Sequence, residues 1–113
     1  MAVTETNKPA LNTLRMATGR IIDTGTVAST FPVDVELGFT PRYVKVVNLN
    51  ASGDVMLEWF EGMADASAVK TAIDGTRSVI TTLGITPTAT GFAIGLDTDL
   101  VVTSEQVTWM ALG

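Results

Sequence analysis

Residues 42–60 read RYVKVVNLNASGDVMLEWF, and this stretch decides the fold. Tyr43, Lys45 and Val47 alternate with Val44 and Val46, the period-2 pattern of a strand with two different faces. The cluster Asn50-Ala51-Ser52-Gly53-Asp54 is a turn. Beyond it Val55, Leu57 and Trp59 alternate with Met56, Glu58 and Phe60. Two alternating runs around a short Gly-containing loop predict a β-hairpin.

The same grammar extends outward on both sides. Upstream, Val33, Val35 and Leu37 alternate with Asp34 and Glu36, and Gly38 to Pro41 closes that strand. A weaker strand is predicted over Arg20 to Val27, through Ile21 and Ile22. Downstream, Val79, Thr81 and Leu83 alternate with Ser78, Ile80 and Thr82. Phe92, Ile94 and Leu96 form a further short strand. Val107, Trp109 and Ala111 form the last one. Glu61 to Ala72 breaks the alternation, and Ser67 to Ala72 is read as one helical turn with Asp65 near its start. Gly84 to Thr90 reads as a loop around Pro87. Seven or eight short strands with turns every 8–12 residues predict an all-β fold. The expected architecture is a compact antiparallel β-sandwich or jelly-roll-like domain with an extended N-terminal arm. Pattern alone leaves sandwich and small barrel open.

The chain divides at residue 19. Residues 1–19 are rich in Thr and Asn, hold Pro9, and carry Leu11, Leu14 and Met16 as their larger apolar groups after Val3. Two readings fit: a frayed terminus, or an arm that orders along a partner through Leu11, Leu14 and Met16. Residues 20–113 form the β domain. At 113 residues the chain suits one domain, and burying about 65% of its unfolded surface gives it a real core.

Composition removes most chemistry. There is no Cys and no His among the 113 residues. Thiol catalysis, iron–sulfur clusters, cysteine zinc sites and the Ser-His-Asp arrangement are therefore excluded. Seven basic against twelve acidic residues give a net charge of −5, which disfavours nucleic acid as a partner. Mean hydropathy is positive at +0.34, yet no apolar run approaches the roughly 20 residues of a membrane-spanning helix. Part of that apolar excess is expected to be covered by a partner. Met1 to Leu11 has no apolar core of a signal peptide, so the chain is expected to be made in a reducing cytoplasm.

The remaining candidate constellations are weak. Glu58 and Glu61 flank the end of a strand, but a glycosidase needs its two carboxyls across a cleft. Asp97 and Asp99 share a turn without the further oxygen ligands a calcium site requires. Gly91-Phe92-Ala93-Ile94-Gly95 lacks the spacing of a phosphate fingerprint, and strand glycines instead mark a bulge or a close backbone approach. Trp59, Trp109, Tyr43, Phe60 and Phe92 offer a sugar-stacking platform, although alternation places such aromatics in a core. Asn50-Ala51-Ser52 matches a glycosylation triplet that has no use without secretion. No catalytic residue, cofactor or metal is expected, and the chain is read as not an enzyme.

The order of residues carries a further signal. Gly38-Phe39-Thr40-Pro41-Arg42-Tyr43-Val44-Lys45-Val46-Val47-Asn48 runs into Trp59-Phe60-Glu61-Gly62-Met63. Asp74-Gly75-Thr76-Arg77 and Gly91-Phe92-Ala93-Ile94-Gly95 follow. Across roughly residues 20–113 this resembles the small capsid decoration, or cement, proteins of tailed bacteriophages. The resemblance implies a β-sandwich or jelly-roll domain on the capsid exterior of the virion. It further implies binding to the major capsid protein, association as a homo-oligomer (dimer or trimer), and head stabilisation without catalysis. The expectation from a different class is a receptor- or glycan-binding module of a phage head or tail fibre.

Overall fold

The computed structural model describes residues 15–22, 32–49, 55–95, 97, 99–102 and 105–113. Among them there is no helix, and eight strands form one antiparallel sheet. They are β1 (Met16–Ile22), β2 (Val33–Glu36), β3 (Tyr43–Asn48), β4 (Met56–Phe60), β5 (Ser67–Thr71), β6 (Arg77–Pro87), β7 (Gly91–Ile94) and β8 (Gln106–Leu112). Their order in the sheet is β1-β8-β3-β4-β5-β6-β7-β2. The sheet curls into a half-barrel around one core.

The hairpin read from residues 42–60 is present as β3 and β4, with Val44 opposite Trp59 and Val46 opposite Leu57. Its turn, residues 50–54, lies outside the described residues, as do Leu11, Leu14 and the triplet beginning at Asn50. Alternation sorts the side chains as expected. Val44, Val46, Leu57 and Trp59 are buried, whereas their odd-even neighbours face out. Phe92, Ile85, Ile94 and Val107 close the core from the other strands, and Leu100 from the turn before β8. Burial of side chains of this size contributes about 1.5–3 kcal/mol each.

Three boundaries differ from the sequence reading, each for a tertiary reason. Ser67–Thr71 is strand β5, not a helical turn, because β4 and β6 supply its ladder partners on both sides. Propensity yields to pairing over so short a segment. Residues 84–87, read as loop, continue β6, whose eleven residues serve two neighbours. Its first half pairs with β5 and its second half with β7. The strand turns the corner at Leu83, held at φ 61°, opposite Ala66 at φ 62°. Gly84 is required there: a Cβ would lie 2.5 Å from the Ser67 carbonyl oxygen. Finally, β1 begins at Met16, so residues 16–19 are not arm but half of a ladder with β8. Gly19 permits this by letting the Trp109 ring lie on the backbone, since a Cβ would sit 2.5 Å from it.

Candidate functional site

Residues directly opposite one another in an antiparallel sheet share a face, so the registers define the outer surface row by row. One row runs Thr18–Met110–Lys45–Glu58–Val69–Val79 across six strands. A second runs Arg20–Thr108–Val47–Met56–Thr71–Arg77. A third, shorter row is Met16–Leu112–Tyr43–Phe60. None of these residues is fully buried. Met16, Phe60 and Val79 are exposed by 56%, 47% and 66% on β1, β4 and β6, one apolar side chain on each of three separate strands.

Between the rows lies a groove of about 550 Å³ over β1, β8, β3 and β4. Val47, Met56 and Met110 form its apolar walls, Thr18 and Thr108 supply hydroxyls, and Lys45 is its single charged side chain. Glu58 stands directly opposite Lys45, but its carboxylate accepts the Tyr43 hydroxyl at 2.7 Å. Burial of the phenol, the hydrogen bond and the Glu58 charge together push the Tyr43 pKa up to about 12.

Beyond the groove, Tyr43 and Phe60 stack at 5.2 Å between ring centroids, tilted by 57°. They border a second cavity of about 380 Å³ with Arg42 and Glu61. Of the five aromatics that offered a sugar platform, these two stand together at this cavity, and Trp109 lines the groove. Trp59 and Phe92 are buried, and Trp109 packs against the core. Trp59 donates its Nε1–H to the Ala64 carbonyl at 3.3 Å. Glu61 does not join Glu58 across a cleft; it follows β4 and lies 3.8 Å from the Arg42 guanidinium.

Asp97 and Asp99 do come together, but around a protein cation. The Lys70 ammonium donates to Asp97 Oδ2 at 2.9 Å and to Asp99 Oδ2 at 2.7 Å. Burial alone would lower the Lys70 pKa; the hydrogen bonds to Asp99 and Asp97 outweigh it and raise the value. Asp97 Oδ1 also accepts the Asp99 amide at 2.9 Å, fixing the turn. Among the described residues, no three acidic side chains gather as a metal site would require. A third cavity of about 420 Å³ at the β6 corner is lined by Ala66, Leu83, Gly84 and Thr86, none of them titratable.

Met16, the described member of the expected contact set, opens β1 and is exposed on the shortest outer row. The reading from composition missed Lys45 and the groove, because their grouping depends on the β8–β3 register rather than on spacing along the chain. Comparison of the chain with protein-family profiles, with curated proteins and with solved structures finds no match.

Proposed function

We propose that this chain is a structural virion protein of the capsid decoration type, bound to the major capsid protein lattice and stabilising the head. The observation that carries the proposal is the outer face itself, where part-exposed apolar side chains such as Met110, Val47, Met56 and Phe60 are mixed with threonines and charged groups in three rows across one sheet. Such a face serves contact area rather than chemistry, and it agrees with the family resemblance of residues 38–48 and 59–63. On this reading the curled sheet is a jelly-roll-like sandwich, with β1, β8, β3 and β4 facing β6, β7 and β2 across the core. Residues 1–14 act as an arm, and Leu11, Leu14 and Met16 add contacts to a neighbouring subunit. Association as a dimer or trimer on the capsid exterior multiplies modest contacts through multivalency, and binding only the assembled shell stabilises it by mass action. Heads stripped of the protein and heads carrying it should rupture at different temperatures; equal rupture temperatures contradict the stabilising role.

The Tyr43–Phe60 pair favours a second reading, a glycan-binding module of a head or tail fibre. Aromatic rings beside Arg42 and Glu61 suit a sugar ring. Glycan-array binding that disappears in Tyr43→Ala and Phe60→Ala, with capsid stability unaffected, would select it over decoration.

A further inference from the structure

The outer rows carry Arg20, Lys45 and Arg77 against the single acid Glu58, a local balance of +2 from three cations and one carboxylate. The whole chain carries −5. The face is therefore a cationic, apolar surface on an acidic protein. Its groove concentrates that contrast. Lys45 is half-buried among Val47, Met56 and Met110, where an unpaired charge is costly. Its cross-strand neighbour Glu58 is engaged by the Tyr43 hydroxyl, and Lys45 makes no ion pair with any described residue. Lys70, by comparison, holds two carboxylates.

We infer that the groove over β1, β8, β3 and β4 seats an extended segment of a partner protein, apolar side chains flanking one carboxylate, with Lys45 receiving the carboxylate. The inference rests on reading this face as protein-binding and names the chemistry of what binds. Charge complementarity selects an acidic partner. Dimensions select a peptide: the groove crosses four strands, about 14 Å at the usual strand spacing, which four extended residues cover. The flexible thioethers of Met56 and Met110 conform to varied apolar side chains. Thr18 and Thr108 hydroxyls meet main-chain groups. A free fatty acid would need a more enclosed site to bury its tail, whereas here the rim includes Leu49, 69% exposed.

The test uses the full chain, labelled with ¹⁵N, and two synthetic pentapeptides blocked at both ends. One is leucine–valine–glutamate–valine–leucine; the other has lysine in place of the glutamate. The glutamate peptide should shift the amides of Lys45, Val47, Met56, Thr108 and Met110 and bind at least about tenfold tighter than the lysine peptide. Lys45→Glu should reverse the preference, and Lys45→Met should abolish it while keeping the native spectrum. Equal binding of the two peptides, shifts elsewhere on the sheet, or no shifts at millimolar peptide would overturn the inference. Dodecanoate displacing the peptide at lower concentration would reassign the groove to an amphiphile and overturn it as well. Capsid rupture is a separate readout, so failure of decoration and failure of the groove are distinguishable.

Discussion

Phe92 and Trp109 meet edge to face, 5.4 Å between ring centroids and 77° between planes. Their strands, β7 and β8, stand five places apart in the sheet. In a flat sheet that separation would be about 24 Å, so this contact measures how far the sheet has curled. Phe92→Ala and Trp109→Ala should each cost about 3–5 kcal/mol in urea unfolding. The double variant should cost less than their sum by about 1 kcal/mol. Strict additivity would show that the two rings do not hold the curl together.

Gly19 and Trp109 provide a second check on the same corner. Gly19→Ala places a methyl against the indole and should destabilise the fold by about 1–3 kcal/mol. Adding Trp109→Leu should reduce the penalty of the alanine, because the clashing ring is gone. An alanine equally costly in both backgrounds would place the strain elsewhere.

Tyr43 is the chain's single tyrosine, so tyrosinate absorbance reads this residue alone. Its midpoint should fall near pH 12, against an ordinary value of 10.0. The folded state holds this proton more tightly than the unfolded chain. Stability from the phenol is thus fully present below pH 10 and lost as pH rises toward 12. Glu58→Gln removes the nearby charge and should lower the midpoint by about one pH unit. An unchanged midpoint would leave burial as the whole cause.

The Lys70 cluster divides unequally. Lys70 and Asp97 side chains are 15% and 10% exposed, whereas Asp99 is 68% exposed. Lys70→Ala strands the Asp97 carboxylate and should cost about 3–5 kcal/mol. Asp99→Ala removes only an exposed pairing and should cost under about 1 kcal/mol. The raised Lys70 pKa has the same sign as Tyr43: its contribution is intact below its ordinary value of 10.5 and fades as pH climbs past it. Chemical denaturation at neutral pH and above pH 10 checks both statements.

Truncation locates the beginning of the folded unit. Removing residues 1–14 leaves all seven β1–β8 pairs, so the variant should fold, and on the decoration proposal it should bind capsids less well. Removing residues 1–19 deletes four of those seven pairs and should lose the cooperative unfolding transition. A cooperative 20–113 fragment would return residues 16–19 to the arm.

What could be read from the chain followed the strength of its alternation. β3 and β4 were legible to within one residue at their ends, because Val44, Val46, Leu57 and Trp59 share one parity and their neighbours the other. β5 was not, since Ser67-Ala68-Val69-Lys70-Thr71 has no clean alternation and becomes a strand by lying between two others. The continuation of β6 past Leu83 was hidden for a different reason. Gly84 and Pro87 are ordinarily punctuation, but here the glycine is the close approach that lets one strand change partners. Lys45 could be placed on an outer face by parity. Its isolation from Glu58 required the position of the Tyr43 hydroxyl, which no one-dimensional pattern contains.

The place of β8 has a consequence in time. Among the described strands it is the last in sequence, yet it lies between β1 and β3, two of the first three. Until β8 is made, β1 has no neighbour among the described strands and β3 has only β4. The row of Ala111, Trp109 and Val107 that closes the core is missing. Completing the sheet must therefore wait for residues 106–112 and then join them to strands far earlier in the sequence, a closure of high contact order and correspondingly slow. Until that moment the nascent protein exposes the buried faces of Val44 and Val46, and a chaperone has its widest opportunity to hold it.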